Sequence, residues 1–190
     1  MEIVLIRHPR PAIGEGVCYG SSDLDLAAGF EAGSGALRER LADLADLAGA
    51  TLFSSPLRRC SKMANTLGLG TPHLDERLKE LHFGKWELSP WDAIDRGELD
   101  HWREDFVHRA PPEGESYASL SRRTLAFLTD AQALEHRSII VVTHAGVIRA
   151  LLAHALGLPL EKSLAFRLDF GSLCRLSVQD GTWQLHCMNC

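Results

Sequence analysis

The stretch SIIVVTHAGVIRALLAHALG, residues 138–157, joins an apolar strand directly to a helix. Its first half is a run of β-branched apolar residues, which is typical of a strand covered on both faces. Its second half has apolar residues at helical spacing and ends at Gly157, because glycine commonly terminates helices. A strand followed at once by a helix is the repeating unit of parallel α/β sheets, so this stretch predicts an α/β fold.

The same alternation extends over the rest of the chain. Two more apolar runs predict strands at residues 2–7 and 51–54. Apolar residues at helical spacing predict three further helices, at 36–47, 57–67 and 116–135. The tail alternates polar and apolar residues around Asp180-Gly181, a two-residue turn signal, and predicts an antiparallel hairpin that closes the sheet. The expected architecture is three-layer α/β/α, with helices on both faces of a mostly parallel sheet.

Length and charge limit the classes of protein that this chain can be. With 190 residues and 45% hydrophobic content, we expect one domain over residues 1–190, with an irregular, lid-like insertion at about 74–115. The net charge of −5 argues against a nucleic-acid or anionic-membrane partner, since such proteins carry a basic surplus. Arg7 and His8 interrupt the first apolar run, so a signal peptide or membrane span is not expected, and a cytoplasmic location is. The sequence leaves the oligomeric state open between monomer and homodimer.

The five cysteines are an odd number without a regular framework, so the sequence predicts reduced thiols. The C-terminal HCMNC, residues 186–190, contains zinc-ligand residue types, but a structural zinc site needs four ligands and no second Cys-x-x-Cys is present. We therefore expect no metal site and a reduced end to the hairpin.

Two histidines occupy matched positions. His8 follows IVLIR and His144 follows IIVVT, so each lies just past the carboxyl end of a strand, where open α/β sheets form ligand crevices. Each histidine taken alone would more often cap its strand by a backbone hydrogen bond. Because the two contexts match and Arg7 precedes His8, we expect one shared site.

Further charged residues follow the strand at 51–54 and a later apolar segment. Arg58 and Arg59 lie in the first turn after the strand, where the helix dipole disfavours them unless they bind an anion or remain solvated. Glu80 lies in ERLKELHFGKWE, in an apolar and aromatic context. That carboxyl is either an exposed charge or an acid whose pKa is raised by partial burial.

Five segments together resemble motifs of the histidine phosphatase superfamily, the phosphoglycerate-mutase-like branch. LIRHPRP resembles its Arg-His-Gly signature and SSPLRRC its Ser-Ser-Pro-Leu-x-Arg motif. ELHFGKWE, PPEGESYASLSRR and VVTHAGVIRAL resemble its glutamate, Gly-Glu-Ser and second-histidine motifs. The segments follow the order of the family and cover nearly the whole chain. Each is weakly specific alone, and together they are highly specific.

The resemblance implies a role for each matched residue. His8 would be the nucleophile that becomes phosphohistidine, and Glu80 the proton donor. Arg7 and Arg58 would hold the phosphoryl oxygens, and His144, as a cationic histidine, would stabilise the transferring group. Ala145 stands where the family usually has glycine, and its backbone N–H could still donate to phosphate. No metal or cofactor is implied, and the partner would be a small-molecule phosphomonoester.

Two departures from the family bear on the site. Pro9 replaces the usual glycine after the first histidine, so any backbone N–H donated at that position in relatives is absent here. The usual threonine and asparagine shortly downstream are also missing. The four residues His8, Arg58, Glu80 and His144 are all present, which argues against a non-catalytic binding module.

The segment GVCYGSSDLDLAAG, residues 16–29, resembles alpha-ribazole phosphatases, the cobalamin-pathway branch of the family. Alpha-ribazole-5′-phosphate is therefore the first expected substrate, with Tyr19, Gly20 and Ser21 lining its side of the pocket. A turn that merely feeds the first helix is the alternative for these three residues. A broad-specificity phosphatase and a mutase are the alternative enzymes.

The central tryptophans allow two interpretations. They could stack on an aromatic base, but tryptophans at such spacing more often pack a lid onto a core. They are Trp86, Trp91 and Trp102.

Overall fold

A six-stranded sheet forms the centre of the computed structural model, which describes residues 1–42, 47, 49–133 and 137–190. The strands are β1 (Glu2–Arg7), β2 (Thr51–Ser54), β3 (His73–Leu74), β4 (Ser138–Thr143), β5 (Leu173–Gln179) and β6 (Thr182–Cys187). They lie in the order β3-β2-β4-β1-β5-β6. The first four strands are parallel to one another, β5 is antiparallel to β1, and β6 is antiparallel to β5. The mostly parallel sheet and its C-terminal hairpin are as the sequence predicted.

Helices cover both faces of this sheet. They are α1 (Glu31–Ala42), α2 (Arg58–Thr66), α3 (Arg96–Glu104), α4 (Tyr117–Ala133) and α5 (Ala145–Ala155). The alternate side chains Ile3 and Leu5 of β1 pack with α4 and α5, whereas Val4 and Ile6 pack with α1 and α2. The apolar run of β1 therefore supplies two cores, one on each face.

Two elements differ from the prediction. The first helix spans Glu31–Ala42 instead of 36–47, and residues 43–46 and 48 lie outside the described residues. β3 was not predicted, because its two residues pair with β2 at the edge of the sheet and carry no alternation that could be recognised. The predicted helix at 116–135 is described as far as Ala133, and its last two predicted residues, 134–135, lie outside the described residues.

The segment 74–115 contains α3 and three short 3-10 helices, at Glu76–Leu78, Gly84–Trp86 and Trp91–Ala93. Cys18, Trp86, Ile94 and Leu99 form a small buried cluster of their own, separate from the two cores of the sheet. The interpretation of this segment as a lid stays a prediction.

The C-terminal cysteines differ from the expectation. Cys187 and Cys190 form a disulfide, with their Cα atoms 6.4 Å apart, so the prediction of reduced thiols is wrong for this pair. The chain turns back after β6 through Asn189, which has a positive φ of 59°, and Cys190 then pairs with Leu173 by two backbone hydrogen bonds. That turn brings together two cysteines three positions apart. The thiols of Cys18, Cys60 and Cys174 are free and buried.

None of the helices within the described residues has the length and apolar character needed to cross a membrane.

Candidate active site

Two histidines leave the sheet side by side. In the parallel pair of β1 and β4, Arg7 lies opposite Thr143, and the backbone N–H of His8 donates to the Thr143 carbonyl at 3.0 Å. The residues that follow the two strands, His8 and His144, are both buried, and their ring centroids lie 5.0 Å apart. The structure thus brings together the two histidines that the sequence placed in one site.

The ring of His8 is held in one tautomer by the next residue. Its Nδ1 lies 2.6 Å from the Pro9 carbonyl oxygen, and since a carbonyl only accepts, Nδ1 must carry the hydrogen. Nε2 is then unprotonated and has a free lone pair. Burial, followed by the charge of Arg59, holds the pKa of His8 well below its usual value near 6.5. At neutral pH the His8 ring is therefore uncharged, and proline at position 9 supplies the carbonyl that orients it.

His144 contacts two residues from the neighbouring strand and helix. Its Nε2 lies 2.9 Å from the Ser55 Oγ and 3.4 Å from the Cys60 Sγ. Burial is the largest cause that holds the pKa of His144 well below its usual value, and the charge of Arg59 adds to it. The His144 ring is therefore uncharged at neutral pH, and the cationic form expected during phosphoryl transfer stays a prediction. A bound anion would raise this pKa and favour its protonation.

Arg59 supplies a buried positive charge close to both histidines. Its side chain is 0% exposed, with Nη1 donating to the Ser22 carbonyl at 2.7 Å and Nη2 to the Gly20 carbonyl at 2.5 Å. Its Nε has no hydrogen-bond partner among the described residues. A buried cation with an unsatisfied donor needs an anion, so Arg59 is a candidate phosphate ligand.

Arg58 lies outside the pocket, which corrects the assignment of this residue as a phosphate ligand. Its side chain is 53% exposed, and its guanidinium pairs with Asp23, with Nε 3.1 Å from Oδ2. α2 begins at Arg58, and successive helical residues point about 100° apart, so only one of two neighbouring arginines can face the sheet. Counted along SSPLRRC, the arginine of the Ser-Ser-Pro-Leu-x-Arg motif falls on Arg59, and this spacing could have identified it.

Arg7 is the second arginine beside His8. Its Nη1 donates to the Leu168 carbonyl at 2.6 Å, and its guanidinium carbon lies 3.8 Å from the centre of the Phe170 ring. Like Arg59, it has a buried Nε without a hydrogen-bond partner in the described chain. Arg7, at the end of β1, and Arg59, in the first turn of α2, therefore provide two positive charges in fixed orientations.

Glu80 faces the start of α5. One carboxylate oxygen accepts from the Leu81 N–H at 2.9 Å and the other from the Gly146 N–H at 3.1 Å. A Cβ atom at Gly146 would lie 2.3 Å from Glu80 Oε1, so a larger residue there would displace this carboxyl. Arg123 donates to the Glu80 carbonyl at 3.1 Å and is itself paired with Glu115 of the Gly-Glu-Ser segment.

A cavity of about 450 Å³ adjoins His8, and the buried Arg59 and His144 do not line it. Arg7, His8, Glu80 and Ala145 line its inner end. We call the outer aromatic side the aromatic wall; it consists of Phe83, Trp91, Trp102 and Phe106. Val17, Leu81, Tyr117 and Leu164 add further apolar surface. The cavity thus combines a charged inner end with a largely aromatic outer part.

Of the three residues predicted to line the substrate side, Tyr19 lines the cavity. Gly20 and Ser21 do not, because they face away from it. The Gly20 carbonyl binds Arg59, and a Cβ there would lie 1.8 Å from the Leu81 carbonyl oxygen. Ser21 donates through its backbone N–H and its hydroxyl to the Glu87 carboxylate.

Glu87 connects the 19–22 turn to the aromatic segment. Its carboxylate also accepts from the N–H and hydroxyl of Ser22 and from the Phe83 N–H. Burial raises the pKa of this carboxyl, but these hydrogen bonds outweigh burial and hold the pKa below its usual value. The Glu87 carboxylate is therefore ionised at neutral pH, and it holds the 19–22 turn against the segment that follows Phe83.

Sequence reasoning missed Arg149, Arg123 and Glu87 as residues of the site and its support. Arg149 follows Ala145 by one helical turn and lines the cavity, so the helical period of the 138–157 stretch could have placed it there. The other two act through contacts between segments distant in sequence, which a local pattern does not contain.

Comparison with known proteins gives a consistent family. The family model described as histidine phosphatase superfamily (branch 1) matches residues 3–190. The chain is 28% identical to a candidate phosphoserine phosphatase of Hydrogenobacter thermophilus, over 93% of this chain and 89% of the relative. It is 33% identical to the glucosyl-3-phosphoglycerate phosphatase of Mycolicibacterium vanbaalenii, over 84% and 76%. The crystal structure of the alpha-ribazole phosphatase from Shigella flexneri superimposes with a TM-score of 0.89 at 26% identity, covering 100% of this chain and 96% of that one.

Proposed function

The chain belongs to the histidine phosphatase superfamily (branch 1) and is a phosphoric monoester hydrolase, and we propose that it works through a phosphohistidine on His8. The observation that carries this proposal is the hydrogen bond from His8 Nδ1 to the Pro9 carbonyl. It leaves Nε2 as a neutral nucleophile beside two arginines with unsatisfied donors.

In the first step, Nε2 of His8 attacks phosphorus and the bond from phosphorus to the ester oxygen breaks. Protonated Glu80 gives its proton to the departing alkoxide, which leaves as an alcohol. The hydrogen bonds from the Leu81 and Gly146 N–H groups fix the position of this carboxyl beside the start of α5.

Charge on the transferring phosphoryl group is stabilised by groups that are already in place. Arg7 and Arg59 bind the equatorial oxygens, and the N-terminus of α5 at Ala145 adds the positive end of the helix dipole. His144 takes up a proton as the anion binds and donates a further hydrogen bond. Since hydrogen bonds already hold Arg7, Arg59 and His144 in position, little reorganisation is needed during the reaction.

In the second step, Glu80 removes a proton from a water molecule, which attacks phosphorus. The bond from phosphorus to His8 Nε2 breaks, inorganic phosphate leaves, and Glu80 is protonated again. The reaction is therefore ping-pong, with the alcohol released before phosphate.

Alpha-ribazole-5′-phosphate is the substrate that we propose. The aromatic wall supports a flat, aromatic leaving group, because aromatic rings favour edge-to-face and offset contacts with such groups. A cavity of about 450 Å³ is also in the range of small-molecule sites that enclose most of their ligand. The similarity to the Shigella flexneri enzyme supports the same substrate.

Release of inorganic phosphate tests this proposal. Alpha-ribazole-5′-phosphate is compared with sugar, nucleotide, serine and glycerate phosphates, with EDTA present and His8→Ala as the control. Preference for alpha-ribazole-5′-phosphate that vanishes in the variant supports both chemistry and substrate. Equal turnover of all esters would contradict the proposed substrate and indicate a broad-specificity phosphatase. Activity of His8→Ala would contradict the role of His8.

A further inference from the structure

Arg149 lies in the cavity but takes no part in the mechanism above. It is half-buried on α5, four residues after Ala145, so the two residues share one face of the helix. At a rise of about 1.5 Å per residue, they are separated by about 6 Å along the helix axis. Arg149 therefore lies one turn away from the end of the cavity at which we place the phosphoryl group.

The Arg149 guanidinium is held at one edge and open at the other. Its Nε donates to the Phe166 carbonyl at 3.1 Å, which fixes the direction of the side chain. Within the described ranges, its Nη atoms have no hydrogen-bond partner and no carboxylate forms an ion pair with it. This differs from Arg58, Arg77 and Arg123, whose charges are paired with carboxylates.

The charge of Arg149 acts inside the cavity. Burial is the main cause that lowers the pKa of Arg7, and the charge of Arg149 lowers it further. The pKa of Tyr117 is raised to about 12, chiefly by burial, while the charge of Arg149 opposes this rise. Arg149 is thus close to both the inner end and the apolar side of the cavity.

We propose that Arg149 determines specificity by donating its free Nη–H groups to an oxygen acceptor on the leaving group of the substrate. The acceptor lies about one helical turn from the phosphoryl group and is a hydroxyl or a carboxylate. In alpha-ribazole-5′-phosphate the ribose hydroxyls supply it, and in a phosphorylated acid the carboxylate does. This inference rests on the proposed function, because it assigns the phosphoryl group to the end of the cavity beside His8.

Three variants test the role of Arg149. Arg149→Met removes the donors and keeps the apolar stem, and Arg149→Lys keeps one charged donor group. Arg122→Met, at an exposed arginine of α4, is the matched control. The substrates are alpha-ribazole-5′-phosphate, phenyl phosphate, which has no acceptor on its leaving group, and the pair O-phospho-L-serine and O-phosphoethanolamine, which differ by a carboxylate.

We expect Arg149→Met to lower kcat/KM by about 10- to 100-fold for a substrate with the acceptor, since a hydrogen bond to a charged donor is lost. Most of the change should appear in KM. Phenyl phosphate should change less than about threefold, and Arg149→Lys should recover part of the loss. Loss confined to alpha-ribazole-5′-phosphate identifies a hydroxyl acceptor, and loss of the preference for phosphoserine over phosphoethanolamine identifies a carboxylate.

An equal loss on phenyl phosphate and on the acceptor-bearing substrates would overturn the inference, because Arg149 would then serve the phosphoryl group. An unchanged kcat/KM on all of them would overturn it as well. The inhibition constant of inorganic phosphate should stay unchanged in Arg149→Met. Failure of the proposed function would instead be visible as activity of His8→Ala or as absence of turnover by the unaltered enzyme.

Discussion

The floor of the cavity and its aromatic wall are built in different ways. We define the floor as Arg7, His8 and Glu80, which line the cavity, together with the buried Arg59 and His144. Its side chains are held by hydrogen bonds to backbone or buried partners, at distances of 2.5 to 3.1 Å. In the aromatic wall, the rings contact one another edge to face, with centroids 5.4 to 6.2 Å apart. The Trp102 indole N–H is buried without a hydrogen-bond partner among the described residues.

This difference separates chemistry from recognition. Directional hydrogen bonds fix the floor, so a change there should act mainly on kcat. Apolar contacts tolerate small shifts, so a change in the aromatic wall should act mainly on KM.

The largest effect is expected for two neighbouring arginines. Arg59→Met should lower kcat/KM by about 10³-fold, because a buried cation that stabilises the phosphoryl group is lost. Arg58→Met is the matched control, and it should change kcat/KM less than about threefold because its exposed pair with Asp23 contributes little. Steady-state kinetics measures both, with thermal melting to show that Arg59→Met folds. Similar losses in both variants would contradict the conclusion that Arg59, and not Arg58, belongs to the floor.

Glu80→Gln should lower kcat by about 10²- to 10³-fold on alkyl phosphates, since amides do not donate the proton that the alkoxide needs. The loss should be smaller on p-nitrophenyl phosphate, whose leaving group needs little protonation. Comparing kcat for the two esters measures this. An identical loss on both would indicate that Glu80 acts by position or charge instead of by proton donation.

The aromatic wall should give a smaller effect with a different signature. Trp91→Ala should raise KM for alpha-ribazole-5′-phosphate by about tenfold, because ring contacts with the leaving group are lost. O-phosphoethanolamine should change less than about twofold. Trp183→Ala on β6, which packs on His154 away from the site, is the control. A loss in kcat on both substrates would break the separation between floor and aromatic wall.

The smallest expected effect is on the pH dependence of the protein's stability. His8 and His144 have folded pKa values well below 6.5, and the unfolded chain protonates its histidines near 6.5. The unfolded state therefore binds more protons, and stability falls as the pH drops below about 6.5. Thermal melting between pH 7.5 and 5.5 should show a smaller decline in His144→Asn than in the control His73→Asn, at an exposed position. Equal slopes would mean that the pKa of His144 does not differ between the folded and unfolded states, which would contradict the lowered pKa.

The floor was more predictable from sequence than the aromatic wall. Strand ends of parallel sheets converge, so the positions of His8 and His144 follow from two apolar runs. The helical pattern alone does not separate Arg58 from Arg59, because adjacent residues of a helix differ only in direction, whereas the spacing of the motif points to Arg59. The Cys187–Cys190 bond was missed because it depends on a turn at Asn189 after the last strand.

The aromatic wall depends on contacts that no local pattern contains. Tryptophan spacing in the segment 74–115 allowed either stacking on a ligand or packing on a core. In the structure Trp86 is buried in the small cluster with Cys18, whereas Trp91 and Trp102 pack against that cluster and also line the cavity. Only the folded arrangement of that segment around Glu87 separates these two outcomes.

The central claim is that His8 carries the phosphoryl group. Rapid quenching with radiolabelled substrate, followed by peptide mapping, tests it most directly. We predict one labelled site, on His8, that is stable to base and labile to acid, and that is absent in His8→Ala. Turnover without any covalent phosphate, or label on another residue, would contradict the mechanism.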